Sequence, residues 1–351
     1  MSAARPKVGM GVIGCGTWGL NHCRTYLQYP YSKLIAVCDL DGKKARQAGK
    51  TFGVDYYSSP AEMLKEKRID AVAVVTPDFA HADPIVAAAN AGKHVISEKP
   101  LVTTREDAVK VIKAARANKV KIMADYHNRW NPVYFKIKQD IEAGKIGRPL
   151  SAYMRLNDII WVPTSYIPWA AKSSIMWFLG SHTVDVLCWL FADRVRRVFS
   201  VSRSGVLAEK GIDVPDLYQT ILEFENGGVA SIENSWIIPN TNPYVNDHKF
   251  NITGEKGMFS VDFSGNSLIE RFLADKADHP DVLVRPIVQG KPTGLAFESI
   301  RDFVDRIYFG EDVKVSLESS VHVTCVILAI LESAEKRAPV AVENVKTDFR
   351  L

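Results

Sequence analysis

A glycine-rich turn that follows the first apolar strand constrains this chain more than any other feature. Residues 8–13 are typical of a buried strand, and Gly14-x-Gly16-x-x-Gly19 follows at once and begins a predicted helix. In such a turn the first glycine makes the tight turn, and the second lets the backbone approach a pyrophosphate. The third lets the helix pack on the strand, and the helix N-terminus faces the phosphate charge. The turn therefore predicts a dinucleotide-binding β-α-β unit.

The same pattern also occurs one step earlier, as Gly9-x-Gly11-x-x-Gly14. That pattern lies within the predicted strand and does not begin a helix. Sequence context therefore favours the later register.

Asp39 completes the dinucleotide pattern. It lies 20 residues after Gly19, at the end of the second predicted strand. A carboxylate there accepts hydrogen bonds from the adenosine ribose hydroxyls and repels a 2′-phosphate, which favours NAD over NADP. Lys43, Lys44 and Arg46 lie just downstream and weaken that preference, so NADP remains the less favoured alternative.

Short strands alternate with helix-length amphipathic segments as far as Asp125. The predicted strands are residues 8–13, 34–38, 71–76, 94–97 and 121–124. Ser59, before Pro60, and Thr104 are predicted N-caps of two of the intervening helices. Strands that alternate with helices imply right-handed crossovers and a parallel sheet, so we expect an α/β Rossmann domain over residues 1–126.

The pattern changes after Asn131. A helix is predicted over residues 132–143, and two hairpins are predicted where strands flank 226–228 and 255–257. The first turn contains Asn226-Gly227-Gly228, whose residues tolerate positive φ. Further helices are expected near residues 174–191 and 317–336. We therefore predict an α+β domain with an open, mainly antiparallel sheet over residues 127–351.

Composition narrows the class of protein. The chain has 351 residues, 47% of them hydrophobic and 24% charged, which suits two globular cores. The net charge of +4 is scattered, so no nucleic-acid partner is expected. Five widely spaced cysteines without a C-x-x-C pair predict reduced thiols and a cytoplasmic location. No membrane partner is expected, because no run of about 18 apolar residues occurs. No metal-binding pattern is present either.

Glu98-Lys99-Pro100 is the first candidate for catalysis. It follows the predicted strand 94–97, and ligands of such sheets bind at the carboxyl ends of the strands. Lys99 is therefore a candidate proton-transfer group beside the nicotinamide. On this motif alone, a surface Glu–Lys pair in a loop explains the sequence equally well.

In this order and spacing, several motifs resemble the glucose–fructose oxidoreductase/inositol dehydrogenase (Gfo/Idh/MocA) family. They are the glycine turn, Asp39, Thr76-Pro77, His81 and Glu98-Lys99-Pro100. The similarity continues through residues 252–257 and 330–334, and so covers essentially the whole chain. The resemblance implies hydride transfer between a tightly held nicotinamide cofactor and a sugar, cyclitol or related secondary alcohol or ketone. It also implies a second-domain sheet that often mediates oligomers, here a homodimer or homotetramer.

The resemblance places the site residues of the first domain. Lys99 takes the position of the family's catalytic lysine, and its bond to Pro100 is often cis in the family. The predicted cofactor contacts are Gly14, Gly16, Thr17, Trp18, Gly19, Asp39, Thr76, Pro77, His81, Glu98 and Lys99.

The resemblance also implies an aspartate and, four residues later, a histidine on a helix of the second domain. His182 matches the histidine, but Phe178 stands at the aspartate position, which is a departure from the family. Asp185, three residues after His182, lies on the same helical face and is predicted to orient the imidazole. His182 is then the predicted base, with a pKa suited to proton transfer near neutral pH. The alternative is a hydrogen-bonded core histidine.

The remaining candidates are substrate contacts. Residues 125–129 form a polar run after the last Rossmann strand, and aromatic faces beside polar groups suit a sugar ring. The alternative for the tryptophans is a place in the core or in a subunit interface. The predicted substrate contacts are Lys99, His127, Arg129, Arg155, Asn157, Trp169, Lys172, Phe178 and His182.

Two classes of function compete at this stage. The first is an NAD-dependent oxidoreductase that acts on CH–OH groups. The second is a non-catalytic protein of the same fold that senses a dinucleotide or a sugar, since a fold alone does not fix an activity. Phe178 keeps the second open, whereas Lys99 and His182 favour the first.

Overall fold

The computed structural model describes residues 5–264, 269–275 and 277–345. They form two compact units that interleave along the chain. The first contains the described residues of Met1–Trp130, Val284–Val321 and Val345–Leu351, and the second contains those of Asn131–Leu283 and His322–Asn344. Val284–Val321 therefore belongs to the first unit although it follows the second in sequence. The predicted division at residues 126 and 127 remains a prediction.

The amino-terminal part of the chain alternates strands and helices. The strands are β1 (Val8–Ile13), β2 (Ser32–Cys38), β3 (Asp55–Tyr57), β4 (Ala71–Val74), β5 (His94–Ser97) and β6 (Ile122–Ala124). The helices are α1 (Thr17–Gln28), α2 (Gly42–Phe52), α3 (Pro60–Met63), α4 (Ala82–Asn90) and α5 (Arg105–Ala117). The strands pair in parallel in the order β3-β2-β1-β4-β5-β6. The order reverses between β1 and β4, and ligands of doubly wound sheets bind at such a reversal.

The rest of the chain is richer in strands. Its first elements are α6 (Pro132–Glu142), β7 (Pro149–Asp158), α7 (Ser181–Phe191), β8 (Val195–Arg203), β9 (Leu217–Phe224), β10 (Val229–Ser235), β11 (Asn246–Gly254) and β12 (Met258–Asp262). They are followed by β13 (Arg271–Phe272), β14 (Ala277–Asp278), β15 (Ile287–Val288), β16 (Lys291–Pro292), α8 (Leu295–Phe309), α9 (Leu317–Lys336) and β17 (Val340–Ala341).

The sheet of the second unit has the order β12-β11-β7-β10-β9-β8-β17. Only β7 and β10 pair in parallel among these neighbours. The predicted fold class, a parallel Rossmann sheet followed by an open and mainly antiparallel sheet, is confirmed. Both predicted hairpins are present, as β9–β10 and β11–β12.

Side chains alternate between the two faces of this second sheet. Met154 and Leu156 of β7 are buried on the inner face, whereas Tyr153 and Arg155 of the same strand are only half-buried on the outer face. Helix α7 packs on the inner face. The hydroxyl of Thr183 in α7 donates a hydrogen bond to the side-chain oxygen of Asn234 in β10 at 3.3 Å. The position of His182 on the inner side follows from this packing.

Local helix signals were only partly correct. Thr104 caps α5 as predicted, accepting a hydrogen bond from the backbone N–H of Asp107 at 3.1 Å. Ser59 stands at the N-cap of α3 and Pro60 follows at its first position, as predicted, but the Ser59 side chain makes no capping hydrogen bond. The helix predicted near residues 174–191 is not uniform either. Met176–Gly180 forms a π-helical turn, and the α-helix begins only at Ser181.

α9 is the one helix in the described part of the chain that is long and apolar enough to cross a membrane. Burial inside the protein accounts for 61% of its most apolar stretch. Core helices of globular proteins pass the same test, so this helix is weak evidence for a membrane span. The expectation of no membrane partner remains a prediction.

Candidate active site

The glycine turn stands between β1 and α1, as required of a pyrophosphate-binding loop. Gly14 has φ of +104°, which strongly favours glycine, and a Cβ there would lie 2.3 Å from the carbonyl oxygen of Val75. A Cβ on Gly19 would lie 1.8 Å from the carbonyl oxygen of Gly14, so only glycine lets α1 approach the turn. No described atom lies within 4 Å of the place where a Cβ of Gly16 would be. The loop thus leaves open space in front of Gly16 and the helix N-terminus, and this space fits a pyrophosphate.

Asp39 is held against this turn at the end of β2. One carboxylate oxygen accepts a hydrogen bond from the backbone N–H of Cys15, and the other accepts one from Asp41, both at 2.8 Å. The side chain is half-buried, so its carboxylate is still partly accessible. A fixed carboxylate acceptor beside a glycine turn fits the hydroxyl groups of a dinucleotide ribose.

His81 connects two of the predicted cofactor loops. Its Nδ1 lies 2.7 Å from the carbonyl oxygen of Pro100, and its Nε2 lies 2.9 Å from that of Thr76. The ring is buried, and both partners are acceptors. His81 therefore ties the loop after β4, which includes Pro77, to the loop after β5. The Lys99–Pro100 bond is cis, as the family resemblance implied.

Glu98 lies beside a histidine that the sequence analysis did not select. Its carboxylate is 3.4 Å from Nε2 of His22, and the other ring nitrogen of His22 is 2.9 Å from the hydroxyl of Tyr26. Burial opposes ionisation of Glu98, but the hydrogen bond and charge of His22 and the charge of Lys99 outweigh it, so its pKa is lowered. Glu98 is therefore an anion next to the candidate catalytic lysine.

Asp125 is the third member of this cluster. It follows β6, and its side chain is about 1% exposed. One side-chain nitrogen or oxygen atom from each of His22, Glu98 and Asp125 lies within 4.8 Å of the other two. Burial, followed by the charge of Glu98, raises the pKa of Asp125 well above its usual value. His22 lies three residues after Gly19 and belongs to no motif, so sequence patterns gave no reason to select it.

His127 and Trp18 form an aromatic pair in the first unit. Their ring centroids are 6.2 Å apart and the rings are stacked. Arg285 lies on the segment that returns to this unit, and its guanidinium is 5.7 Å from the centroid of the Trp18 ring. No sequence pattern offered a reason to select Arg285. Burial, aided by the charge of Lys99, lowers the pKa of His127 to about 4, so its ring is neutral in the physiological range. Arg129, two residues on, reaches the hydroxyl of Ser319 at 3.5 Å.

The second unit presents His182 on the first turn of α7. His182 and Asp185 are both buried, and they lie three residues apart on one helix. The π-helical turn that precedes α7 changes the angle between Phe178 and His182, because its hydrogen bonds span five residues rather than four. The two positions are therefore not related as they would be on a continuous α-helix.

Phe178 belongs to an aromatic cluster in the second unit. Its ring centroid lies 6.2 Å from that of Trp169 and 6.0 Å from that of Trp236. Trp236 is fully buried, and its Nε1 has no hydrogen-bond partner among the described residues. The position that the family pattern gives to a carboxylate is thus occupied by one ring of three. Lys172, on the same segment as Trp169, is exposed.

Arg155 and Asn157 lie on the outer face of the second sheet, the side opposite α7. Arg155 makes an ion pair with Asp247 at 2.9 Å. Asn157 donates a hydrogen bond to Glu233 at 2.6 Å, and Gln219 donates to the same carboxylate. The structure therefore does not bring these two residues together with His182. That they contact substrate remains a prediction.

Comparison with known proteins supports the geometry. The model "Oxidoreductase family, NAD-binding Rossmann fold" matches residues 8–126, and the model "GFO/IDH/MocA C-terminal domain" matches residues 134–260. The chain is 29% identical over 260 residues to inositol 2-dehydrogenase 2 of Saccharopolyspora erythraea, which covers 72% of this chain and 73% of that protein. It is 25% identical to myo-inositol 2-dehydrogenase of Thermotoga maritima, covering 96% of this chain and 99% of the relative.

A solved structure shows the same architecture. A levoglucosan dehydrogenase in complex with NADH superposes with a TM-score of 0.81 at 25% identity, covering 97% of this chain and 100% of the other. The two family models together span most of the chain, and the glycine turn lies within the range that the first of them matches. This chain therefore belongs to the Gfo/Idh/MocA family of oxidoreductases and carries that family's NAD-binding Rossmann domain.

Proposed function

We propose that this protein oxidises a secondary alcohol of a cyclitol or sugar, or reduces the corresponding ketone, with NAD as the redox partner. The observation that carries the proposal is the convergence of the glycine turn, Asp39, Thr76 and Glu98-Lys99 at the carboxyl ends of neighbouring parallel strands. The relatives named as inositol dehydrogenases, and the levoglucosan dehydrogenase structure, support a polyhydroxylated substrate.

The first unit supplies the cofactor contacts. The helix N-terminus and the backbone of Gly14, Gly16, Thr17, Trp18 and Gly19 would hold the pyrophosphate, and Asp39 the adenosine ribose. Thr76, Pro77, His81 and Glu98 would shape the nicotinamide end. When bound, NAD supplies the hydride acceptor for the alcohol carbon, and every proton movement is left to side chains of the protein.

Lys99 is the proposed electrostatic group. Its ammonium would hold the alcohol oxygen and stabilise the alkoxide charge that develops as hydride leaves the carbon.

His182 is the proposed general base in the second unit, with Asp185 on the same helix as its orienting group. Neutral imidazole takes the hydroxyl proton, and Asp185 stabilises the imidazolium that results. Because Phe178 replaces the carboxylate of the family pattern, no second carboxylate assists His182 from that position.

The aromatic cluster of Trp169, Phe178 and Trp236 favours a substrate with an apolar C–H face. Sugar and cyclitol rings have such faces, with hydroxyl groups at their edges. Neutral His127, with Arg129 and Lys172, would provide polar contacts. Arg155 and Asn157 are weaker candidates, because their partners on the outer face of the sheet already engage them.

The non-catalytic alternative has no specific observation in its favour. The family is one of oxidoreductases, and Lys99 and His182 are both retained. A sensor would need neither residue.

The test is the absorbance of reduced nicotinamide, measured with NAD at mildly alkaline pH over inositols, aldoses, anhydrosugars and uronates. We expect turnover with at least one class, and loss of it in Lys99→Ala with NAD affinity almost unchanged. Lys33→Ala, an exposed lysine on β2, is the matched control and retains activity. Turnover that persists in Lys99→Ala rules out the proposed role of this lysine.

We also propose that the outer face of the second sheet joins subunits into a homodimer or homotetramer. Phe199 and Ile221 are direct cross-strand partners on this face, and both are exposed. Val201 and Val229 extend the apolar surface on neighbouring strands. A continuous exposed apolar patch of this kind is typical of a protein interface.

Ile221→Glu places a charge in the middle of that surface. We expect it to reduce the mass measured by analytical ultracentrifugation to that of the monomer. Val245→Glu is the control, because Val245 has the same 49% exposure but lies outside the strands. An identical mass for both variants and the parent would place the interface elsewhere.

A cytoplasmic location is proposed from the thiols. None of the five cysteines forms a disulfide with a described residue, and four of them are buried. Cysteines that remain as thiols suit a reducing compartment.

A further inference from the structure

Two carboxyl groups, a half-buried Glu98 and a buried Asp125, lie at the ends of β5 and β6 in the first unit. The backbone N–H of Asp125 donates to the carbonyl oxygen of Ser97 at 2.8 Å, which sets Asp125 beside Glu98. Atoms of the two carboxyl groups lie within 4.8 Å of each other and of His22. The proposed reaction does not use Asp125, and no motif selects it.

The two carboxyl groups have unequal partners. Glu98 has the imidazole of His22 at 3.4 Å, whereas neither side-chain oxygen of Asp125 has a well-formed hydrogen bond with any described residue. A buried carboxylate without hydrogen-bond donors is costly, and two negative charges at this separation repel each other. The proton should therefore reside on the carboxyl group with the poorer partners.

We propose that Asp125 and Glu98 share one proton through the neutral range. Asp125 holds this proton and loses it only at alkaline pH. Asp125 is thus a positioning residue, because its protonation sets how much negative charge faces Lys99. The part of this inference that concerns Lys99 rests on the proposed function. The shared proton itself rests only on the geometry of the pair and on the burial of Asp125.

The other titratable and polar groups around the pair do not remove the need for this proton. His22 is already engaged by Tyr26 and Glu98, His127 is neutral, and Ser299 on α8 offers Asp125 only a weak stabilisation of its anion. Lys99 supplies one positive charge to two carboxyl groups. The groups that face the pair are His22 and Tyr26 of α1, Glu98 and Lys99 after β5, His127 after β6, and Ser299 of α8.

Infrared spectroscopy of the whole protein tests the shared proton directly. We expect the carbonyl band of a protonated carboxylic acid near pH 7, its disappearance at alkaline pH, and its absence in Asp125→Asn. Asp70→Asn is the control, because Asp70 is an exposed carboxylate at the opposite edge of the same sheet. A band absent from the parent at neutral pH, or unchanged in Asp125→Asn, overturns the proposal.

Thermal melting gives a second measurement that needs no turnover. In the folded protein Asp125 keeps its proton, whereas in the unfolded chain it loses it above about pH 4. The unfolded state then binds fewer protons, so this group destabilises the fold increasingly as the pH rises. We expect the Tm of Asp125→Asn to exceed that of the parent by a margin that grows from pH 4 to pH 8. A margin that does not change with pH contradicts the proposal.

Kinetics test the link to Lys99 separately. Ionisation of Asp125 at high pH adds a negative charge that helps Lys99 to keep its proton. Asparagine removes this aid, so the alkaline limb of kcat/KM should move to lower pH by about one unit or more in Asp125→Asn. Superimposable profiles would refute the positioning role, while the infrared and melting results would still decide the shared proton. Inactivity of both proteins on every substrate would instead count against the proposed function.

Discussion

The two units solve different physical problems at their candidate sites. In the first, the chain gathers three ionisable groups, Glu98, Lys99 and Asp125, after the carboxyl ends of strands, where Asp125 is buried and the other two are half-buried. In the second, His182 stands on a largely apolar helix, and Phe178, at the position of the missing carboxylate, lies between the rings of Trp169 and Trp236. The candidate site of the first unit is thus dominated by interacting charges, whereas that of the second is an apolar surface of defined shape with one titratable ring, His182. Specificity for substrate should therefore be most sensitive to changes in the second unit, and pH dependence to changes in the first.

The largest expected effect comes from the one titratable ring of the second site. His182→Ala should lower kcat by about 10²–10⁴-fold, the usual contribution of a general base. His248→Gln is the control, because His248 is another buried histidine of this unit and pairs with Tyr134 at 2.8 Å. If both variants lose only stability, His182 is a core residue and the second unit offers shape alone.

A smaller effect is expected from the charge at the nucleotide end of the first unit. Asp39→Asn should weaken NAD binding by about 10–100-fold, since hydrogen bonds to charged groups are worth about 1.5–3 kcal/mol. It should also raise the affinity for NADP relative to NAD, because the repulsion of a 2′-phosphate is lost. Both affinities can be measured by calorimetry.

Asp41→Asn is the matched control for this change. The Asp41 side chain caps α2 through the backbone N–H groups of Lys43 and Lys44 and, among the described residues, forms no hydrogen bond with the glycine turn. Equal losses in the two variants would mean that a general disturbance of the loop, rather than the Asp39 charge, sets cofactor choice.

The smallest expected effect tests the shape of the second site. Phe178→Leu keeps an apolar side chain but loses the ring contacts with Trp169 and Trp236, and should raise KM by a few-fold with little change in kcat. Phe178→Asp, which restores the family residue, should alter the order of preferred substrates. Identical relative rates across the panel for the parent and both variants would make the position one of packing only.

The sequence predicted most of the first site because backbone geometry imposes its residues. Only glycine fits at Gly14 and Gly19, so the turn can be identified by pattern, and Asp39 follows at a fixed spacing. His22 was not selected, and Asp125 was noted only as part of the polar run 125–129, because the two residues meet through the order of strands and helices in space. A histidine and an aspartate more than 100 positions apart carry no local signal of their proximity.

The second site was predicted mainly through resemblance. Regular alternation and Gly-containing turns located the hairpins β9–β10 and β11–β12, but periodicity suggested one continuous helix where Met176–Gly180 forms a π-helical turn. Trp236 gave no signal beyond its residue type. The outward direction of Arg155 and Asn157 could have been inferred from the alternation in β7 only once the inner face was known.

The return of Val284–Val321 to the first unit has a consequence for synthesis of the chain. α8, which lies in this segment and places Ser299 near Asp125, is made only after the whole of β1–β6 and most of the second unit. Domains usually fold as the ribosome releases them, amino-terminal first. Here the first unit lacks α8, which packs near its carboxyl pair, until some 300 residues have been translated. If translation stalls or ends before that point, the nucleotide-binding domain stays incomplete, and quality-control proteases can recognise it.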